Sequence, residues 1–519
     1  MNSAAPTEID VADLTIADVQ QGFVEGRFTA ESLVRAHLAR IETYEASYNA
    51  FTFMNPDALA DARAIDARRA GGEILGPLAG VPVVVKEAMD MVGFPSTLGW
   101  APLCSKTGGV DLMPERDAPV VARLRAAGAV ILGKTNIPAF SYDGSRASTS
   151  WDGPTFNAVD RAVCPGASSS GTATAVAGGF AVVGLAEETG GSIQNPAAVQ
   201  SLVSVKPTFA LVPNTGVAPL AGSTRDVVGP HARNVTDAAL LLDVLAGYTV
   251  EDPKTVAGIG KIPVGGYASR LKRDALKGAR LGLYGPGWRK NAPLSAETDA
   301  LYATAAAEVA ACGATLVDDP FAGTNFADLA MQGVEFDARG LESIIYDVDL
   351  FLRRMGPSSA APSFAVLKAL VPHDPFAPDG LLGGLPKMFE TVRRSLDDPT
   401  APPDLGPFLA LRDAYMSAFE AALDKHGLDG LVFPQTFAEP PGVFGKAAYP
   451  ATTVSEINIT GAPGVTVPAG AYAGGAPFGL IFVGRMWSEA KLLGFAFAYE
   501  QAYPKRIKPK LTTAPPPAG

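Results

Sequence analysis

The stretch PGASSSGTATAVAGGFAVVGLAEETGGSIQNP, residues 165–196, decides how this chain folds. It runs from a Ser/Gly segment through an Ala-rich run and an apolar run to a Gly-Gly-Ser turn that precedes Pro196. Proline is favoured in the first turn of a helix, so Ser192 is expected on a loop between a strand and a helix. The glycines before Ser192 let several N–H groups turn toward one point, as an oxyanion hole requires. A tight structural turn is the simpler alternative for them.

The Ser/Gly segment, residues 165–172, carries three consecutive serines, of which Ser168 is the first. Hydroxyl and N–H groups at the start of an apolar helix stabilise negative charge. A flexible linker is disfavoured because Ala- and Val-rich sequence flanks the segment on both sides. A phosphate-binding loop is disfavoured because Thr172 occupies the position at which that motif requires lysine.

A third segment, residues 80–87 (GVPVVVKE), ends a run of valines with Lys86. A lysine in that position is most often a charge that emerges at the end of a strand. In a water-poor pocket its amine would instead be neutral, and it would accept the proton that a serine hydroxyl cannot lose unaided.

Other catalytic or metal-binding groups are poorly represented. None of the four histidines, His37, His231, His373 and His426, is next to a Gly-rich serine turn, and no Gly-x-Ser-x-Gly motif occurs. A histidine-based triad is therefore disfavoured. No His-x-x-x-His or Cys-x-x-Cys pair is present, and we expect neither a metal nor another cofactor.

Composition excludes several classes of partner. The formal charge of −11 argues against a nucleic-acid partner, because binding phosphates requires a basic face. No apolar run of about 18 residues occurs, so we expect no membrane span. The acidic N-terminal region lacks the basic and apolar parts of a signal peptide. Three widely spaced cysteines suit a reducing compartment, and the cytoplasm is the expected location.

The alternation of short β-branched runs with Ala-rich stretches predicts an α/β core whose sheet is largely buried. Residues 1–75 are expected to form a helical segment packed on this core. Residues 76–503 are expected to form a single α/β domain with a variable lobe at about 300–440, whose part from about 350 to 410 is irregular. The tail, residues 504–519, is expected to be disordered.

In their order along the chain, the three segments resemble the amidase signature family, whose members use a Ser–cis-Ser–Lys triad. The resemblance implies that Lys86 is the base, that Ser168 relays the proton after a cis peptide bond, and that Ser192 is the nucleophile. It also implies a large mixed sheet flanked by helices, an α/β/α sandwich. Similar short segments flank these three, and the resemblance extends from about Val11 to Gln501.

The same resemblance implies further site residues. The oxyanion hole would be formed by the backbone N–H groups of Thr189, Gly190, Gly191 and Ser192. Ser169 is expected to hydrogen-bond near the Lys86 amine.

Two other positions carry weaker expectations. Gln194 stands where the family often has a supporting arginine, which puts that network in doubt. Phe140 and Tyr142 lie where family members place residues that face the substrate, so an apolar or aromatic acyl pocket is expected.

The function implied is hydrolysis of a carboxylic amide through an acyl-enzyme, with aryl amides, esters or carbamates as further substrates. The partner would be a small-molecule amide, and a homodimer is compatible with the sequence. The main alternative is a glutamine-amidotransferase subunit of an aminoacyl-tRNA-modifying complex, because such subunits share all three motifs. A penicillin-binding enzyme is disfavoured because its Ser-x-x-Lys motif precedes Lys-Thr-Gly, whereas the order here is reversed. A binding module without activity would have lost a triad residue, and none is missing.

Overall fold

A computed structural model of the chain describes residues 9–146, 148–331 and 336–518. In this part of the chain the strands are β1 Phe51–Met54, β2 Pro82–Lys86, β3 Val130–Thr135, β4 Val183–Glu188, β5 Val203–Lys206, β6 Val227–Ala232, β7 Arg280–Leu283, β8 Thr315–Val317, β9 Gly430–Pro434, β10 Gly464–Ala471 and β11 Pro477–Val483. They form one sheet in the order β1-β3-β2-β4-β6-β5-β10-β11-β9-β7-β8. The sheet is mixed, since β2 runs parallel to β3 and β4 while β4 and β6 are antiparallel.

The helices of the described residues are α1 Ile16–Val24, α2 Ala30–Tyr48, α3 Ala58–Ala70, α4 Pro119–Ala126, α5 Ser170–Ala177, α6 Gln194–Val199, α7 Val235–Leu245, α8 Ala296–Ala311, α9 Ile344–Arg354, α10 Phe364–Leu370, α11 Gly384–Met388, α12 Glu390–Ser395, α13 Gly406–His426, α14 Ser455–Thr460 and α15 Glu489–Ala502. None of them is long and apolar enough to cross a membrane.

Helices cover both faces of the sheet, which confirms the α/β/α sandwich. Val83 and Val85 of β2 belong to a core formed with α4, α7 and α15, whereas Val84 belongs to a second core formed with α2, α3 and α5. Successive strand residues point to opposite faces, so a continuous run of valines fills both cores.

The parallel pairing of β2 with β4 brings the ends of the two strands together. Val85 lies opposite Leu185, so Lys86 at the end of β2 and Glu187 near the end of β4 reach the same edge of the sheet. In open α/β sheets, binding sites form at the carboxyl ends of the strands.

Three regions differ from the sequence-based expectations. The N-terminal segment is not only helical, because the four-residue strand β1 pairs antiparallel with β3. The stretch 350–410 is not irregular, since α10, α11 and α12 lie within it as short helices between Pro- and Gly-rich turns. These elements have four to seven residues, too few to establish a clear periodicity in sequence.

The tail also differs from the expected disorder. Residues 504–518 run over the surface of the domain, where the Ile507 N–H donates to Ser201 and the Thr512 N–H donates to the Tyr48 hydroxyl. Arg506 pairs with Asp13 near the other end of the chain. These contacts attach the segment to the domain.

Candidate functional site

The amine of Lys86 lies at the centre of a buried polar cluster. Its Nζ is 2.7 Å from Ser168 Oγ, 2.7 Å from Glu187 Oε2 and 3.1 Å from the Glu187 carbonyl oxygen. The side chains of Lys86 and Glu187 are 0% and 2% exposed. This contact with a carboxylate was not expected from the sequence, which predicted an amine in a water-poor pocket.

Ser168 and Ser169 precede the first residue of α5, and the peptide bond between Ala167 and Ser168 is cis. The Ser169 hydroxyl donates to the Glu187 carbonyl at 3.1 Å and accepts from the Glu187 N–H at 3.2 Å. Ser169 therefore holds the Glu187 backbone and meets Lys86 only through the shared carbonyl oxygen.

The Ser/Gly segment packs directly against residues 189–195, which carry the predicted nucleophile Ser192 and are called the nucleophile loop. Gly166 has a φ of +67°, and a Cβ on it would lie 2.5 Å from the Cα of Pro196. Only glycine tolerates both that backbone conformation and this contact. The close approach brings the segment that carries Ser168 against the one that carries Ser192.

Ser192 is 7% exposed and borders a cavity of about 320 Å³. Gly191 has a φ of +92°, and a Cβ on it would collide with the Asn195 amide. Among the hydrogen bonds of the described residues, none uses the N–H of Thr189, Gly190, Gly191 or Ser192 as donor. An oxyanion hole requires N–H donors without an acceptor of their own, and Thr189, Gly190 and Ser192 line the cavity.

Glu188 holds the part of the nucleophile loop that follows Ser192. Its carboxylate accepts from the Ile193 N–H at 2.8 Å and the Gln194 N–H at 3.2 Å. It also accepts from the Gln194 side-chain amide at 2.6 Å and from the Asn458 amide at 2.7 Å. Hydrogen bonds to a buried carboxylate are stronger than those between neutral groups, so Glu188 anchors the turn that carries Ser192.

Gln194 continues this network away from the carboxylate. Its Oε1 accepts from the Gln435 amide at 3.2 Å and from the Thr453 hydroxyl at 3.0 Å. An uncharged amide at this position therefore links the loop to the residue that follows β9 and to the segment before α14.

A second buried carboxylate, Asp226, lies next to Thr189. The Thr189 hydroxyl donates to Asp226 Oδ1 at 2.5 Å and lies 3.3 Å from Glu187 Oε1. Burial, together with the charge of Glu187, raises the pKa of Asp226 to about 7. The Arg225 guanidinium donates to the Thr189 carbonyl at 3.1 Å. Neither Glu187 nor Asp226 was expected from the sequence, although two glutamates that end an apolar strand were a signal for buried carboxylates.

The cavity beside Ser192 is only partly apolar. Tyr142 lines it, whereas Phe140 does not: Phe140 is buried against Trp100, with ring centroids 5.2 Å apart. The other side chains that line it include aromatic and aliphatic Phe336, Tyr449 and Leu220 and charged Asp143, Arg146 and Lys446. The charged groups were not part of the expected aromatic pocket.

A larger cavity of about 640 Å³ adjoins the first and does not include Ser192. The two share Ala448, Tyr449 and Val454 in their walls. The paired side chains of Arg289 and Glu456, 2.7 Å apart, lie in the second cavity. A substrate longer than the first cavity has room to extend into the second.

The histidine nearest to the nucleophile loop is His231, whose Nε2 lies 2.8 Å from the Ile193 carbonyl. Burial lowers its pKa to about 4, so the ring is neutral near pH 7. Within the described ranges, no group of three or more His, Cys, Asp or Glu side chains is arranged to hold a metal ion.

Comparison with known proteins identifies the relatives of this arrangement. The profile of the Amidase family matches residues 32–349. A glutamyl-tRNA(Gln) amidotransferase subunit from Synechococcus sp. is 32% identical over 95% of this chain and 97% of its own length. The solved structure of a native peptide amidase from Stenotrophomonas maltophilia is 32% identical, with a TM-score of 0.77 over 97% of this chain and 99% of that one. An amidase family protein from Bacillus anthracis is 26% identical, with a TM-score of 0.76 over 97% of this chain and 93% of that one.

Proposed function

This chain belongs to the amidase family, and from that premise we propose that it hydrolyses a carboxylic amide by attack of Ser192 on the acyl carbon. The observation that carries the proposal is the 2.7 Å contact between Lys86 Nζ and Ser168 Oγ, in a buried site next to the Ser192 loop. Lys86 and Ser168 would remove the proton of the Ser192 hydroxyl, because a serine hydroxyl is too weakly acidic to lose it unaided.

The N–H groups of residues 189–192 would hold the oxyanion that forms during attack. One such donor typically contributes about 10²- to 10³-fold to the rate. The proton would then pass to the leaving nitrogen, and water would release the acyl group from Ser192. The aromatic and charged walls of the cavity suit an acyl group that has an apolar body and a polar end.

The test is turnover by the purified chain on aryl amides, fatty amides, peptide amides and carbamates. We expect Ser192→Ala and Ser168→Ala to lose activity while the melting temperature stays near that of the wild type. Ser170→Ala is the matched control, since it makes the same chemical change in the same segment at a hydroxyl that has no partner among the described residues. Near-normal turnover by Ser192→Ala would refute the proposal.

A second candidate function is the glutamine-hydrolysing subunit of an aminoacyl-tRNA amidotransferase. The relative from Synechococcus sp. favours it, because the match spans nearly the whole of both chains. Asp143 and Arg146 beside the cavity also suit an amino-acid substrate, which carries both charges. Glutamine hydrolysis that requires a co-purifying second chain would support this candidate. Turnover of a small amide by the isolated chain would support the first.

A further inference from the structure

The Lys86 amine has three acceptors in contact with it: Ser168 Oγ, Glu187 Oε2 and the Glu187 carbonyl oxygen. An ammonium group carries three protons and accepts none. The three contacts therefore match a fully protonated amine, with the Glu187 carboxylate as its counter-ion. In this state Lys86 can take a proton from Ser168 only if it releases one of its own.

We propose that Glu187 is a positioning residue that receives this proton, so that Lys86 passes the proton on and does not store it. The proposal rests on the function proposed above, in which Ser192 is the nucleophile. It adds a site for the proton that neither the family match nor the relatives' names assign. Glu187 acts through Lys86 and lies outside the cavity wall that a substrate would touch.

Protons and charges balance along this path. Lys86 first passes one ammonium proton to Glu187 Oε2, which becomes a neutral carboxylic acid, and the amine is left neutral. As Ser192 Oγ bonds to the acyl carbon, its proton then moves to Ser168 Oγ, and the Ser168 proton moves to the lone pair of Lys86 Nζ. When the C–N bond breaks, the same path returns the proton to the leaving nitrogen. No oxidant, reductant or metal is needed.

Other titratable groups near Glu187 could also bind a proton and change the pH dependence of the reaction. Asp226 faces it through the Thr189 hydroxyl, and Arg225 donates to the Thr189 carbonyl. His231 on the neighbouring strand β6 is neutral near pH 7 because burial lowers its pKa to about 4. Asp226, whose pKa burial raises to about 7, is thus the competing site for a proton.

The experiment measures how fast a fluorophosphonate modifies Ser192 from about pH 5 to about pH 10, a readout of nucleophile activation that needs no known substrate. In the wild type the Glu187 carboxylate accepts the proton that Lys86 passes on, and we expect a rate that falls on the acidic side. In Glu187→Gln the amine has no carboxylate to which it can pass a proton, and it must be deprotonated before it can act. The acidic limb is the part of the pH–rate profile in which the rate falls as the pH is lowered. We expect this limb to move to higher pH by at least about one unit, which lowers the rate about tenfold at a pH on the limb.

Two further variants make the result decisive. Glu187→Asp keeps a carboxylate but shortens it, and its acidic limb should lie between those of the wild type and Glu187→Gln. Asp226→Asn should keep the wild-type limb. A uniform loss of rate in Glu187→Gln with an unmoved limb would show a merely structural role and overturn the proposal, as would an equal limb shift in Asp226→Asn. If Glu187→Gln does not fold, an unmoved limb in Glu187→Asp overturns it. A wild type that is not modified at Ser192 would refute the proposed nucleophile itself.

Discussion

Glu187 and Glu188 are consecutive residues at the end of one buried strand, yet they serve two different regions of the site. Glu187 lies with Lys86 and Ser168, the proposed base and relay, in what is called the base side, and it forms an ion pair with the Lys86 amine. Glu188 lies beside the loop of the proposed nucleophile Ser192, which is called the nucleophile side, and it accepts hydrogen bonds from backbone and amide N–H groups. Successive strand residues point in opposite directions, which separates the two carboxylates. A carboxylate held by neutral donors fixes geometry, whereas one held by an amine can also exchange a proton.

The largest expected effect comes from removing the cation on the base side. Lys86→Met keeps most of the length of the side chain but leaves Glu187 buried without its counter-ion. Breaking a buried pair in this way costs about 3–5 kcal/mol, so we expect a large loss of stability in urea unfolding. Modification of Ser192 should fall to background, because no amine remains to take its proton.

The double variant Lys86→Met/Glu187→Leu is the control for this effect. With both charges replaced by apolar groups, most of the lost stability should return, while activity should stay absent. Equal free energies of unfolding for the single and double variants would contradict a buried ion pair at this position.

On the nucleophile side we expect a smaller effect of a different kind. Glu188→Gln replaces a charged acceptor with an amide, which weakens its hydrogen bonds to Ile193, Gln194 and Asn458. Hydrogen bonds to a charged group contribute about 1.5–3 kcal/mol each, so a fall of about 10- to 100-fold in the rate is expected as the loop loosens. The acidic limb should stay in place. A limb that moves as it does in Glu187→Gln would mean that the two carboxylates are not functionally separate.

The sequence predicted the parts of the site that depend on strand ends and glycine turns. Lys86 and Ser192 could be placed because a run of valines and a Gly-Gly-Ser turn determine where the chain is extended and where it turns. The partner of Lys86 could not be placed, because which side chains meet across β2 and β4 depends on their register and on the twist of the sheet.

The cavity wall was predicted less well for a related reason. Phe140 and Tyr142 are two residues apart, but the backbone at Phe140 has a φ of +54° and turns one ring into the core. A left-handed conformation at a bulky residue is uncommon and has no signal in the residue itself. Arg146 and Lys446, which lie far apart along the chain, share the cavity only because of the tertiary fold.

Asp226 provides a pH-dependent way to sharpen the comparison between the two sides. Its pKa is raised from an ordinary value of 3.8 to about 7 by burial, with Glu187 adding to the shift. The folded state therefore holds one more proton than the unfolded state between these pH values. The stability that this proton contributes is complete below about pH 4 and is lost as the pH rises to about 7, by up to about 1.4 kcal/mol per pH unit.

Asp226→Asn should remove this dependence, because an amide does not titrate. The variant should gain stability relative to the wild type as the pH rises through this window, with a constant difference above it. Chemical unfolding at several pH values measures the two curves. Parallel curves would mean that Asp226 is ionised in the folded protein throughout this range.

The smallest effect is expected at Ser169, whose hydroxyl holds the backbone of Glu187 and not its side chain. Ser169→Ala removes two hydrogen bonds to that backbone, and a net loss of about 1–2 kcal/mol in unfolding is expected. The carboxylate can still reach Lys86, so the acidic limb should stay at the wild-type pH and the rate should fall only slightly. If the acidic limb moves in this variant, proton transfer from Lys86 to Glu187 depends on the exact position of the β4 backbone. The carboxylate of Glu187 would then be too loosely held to act as the acceptor behind Lys86.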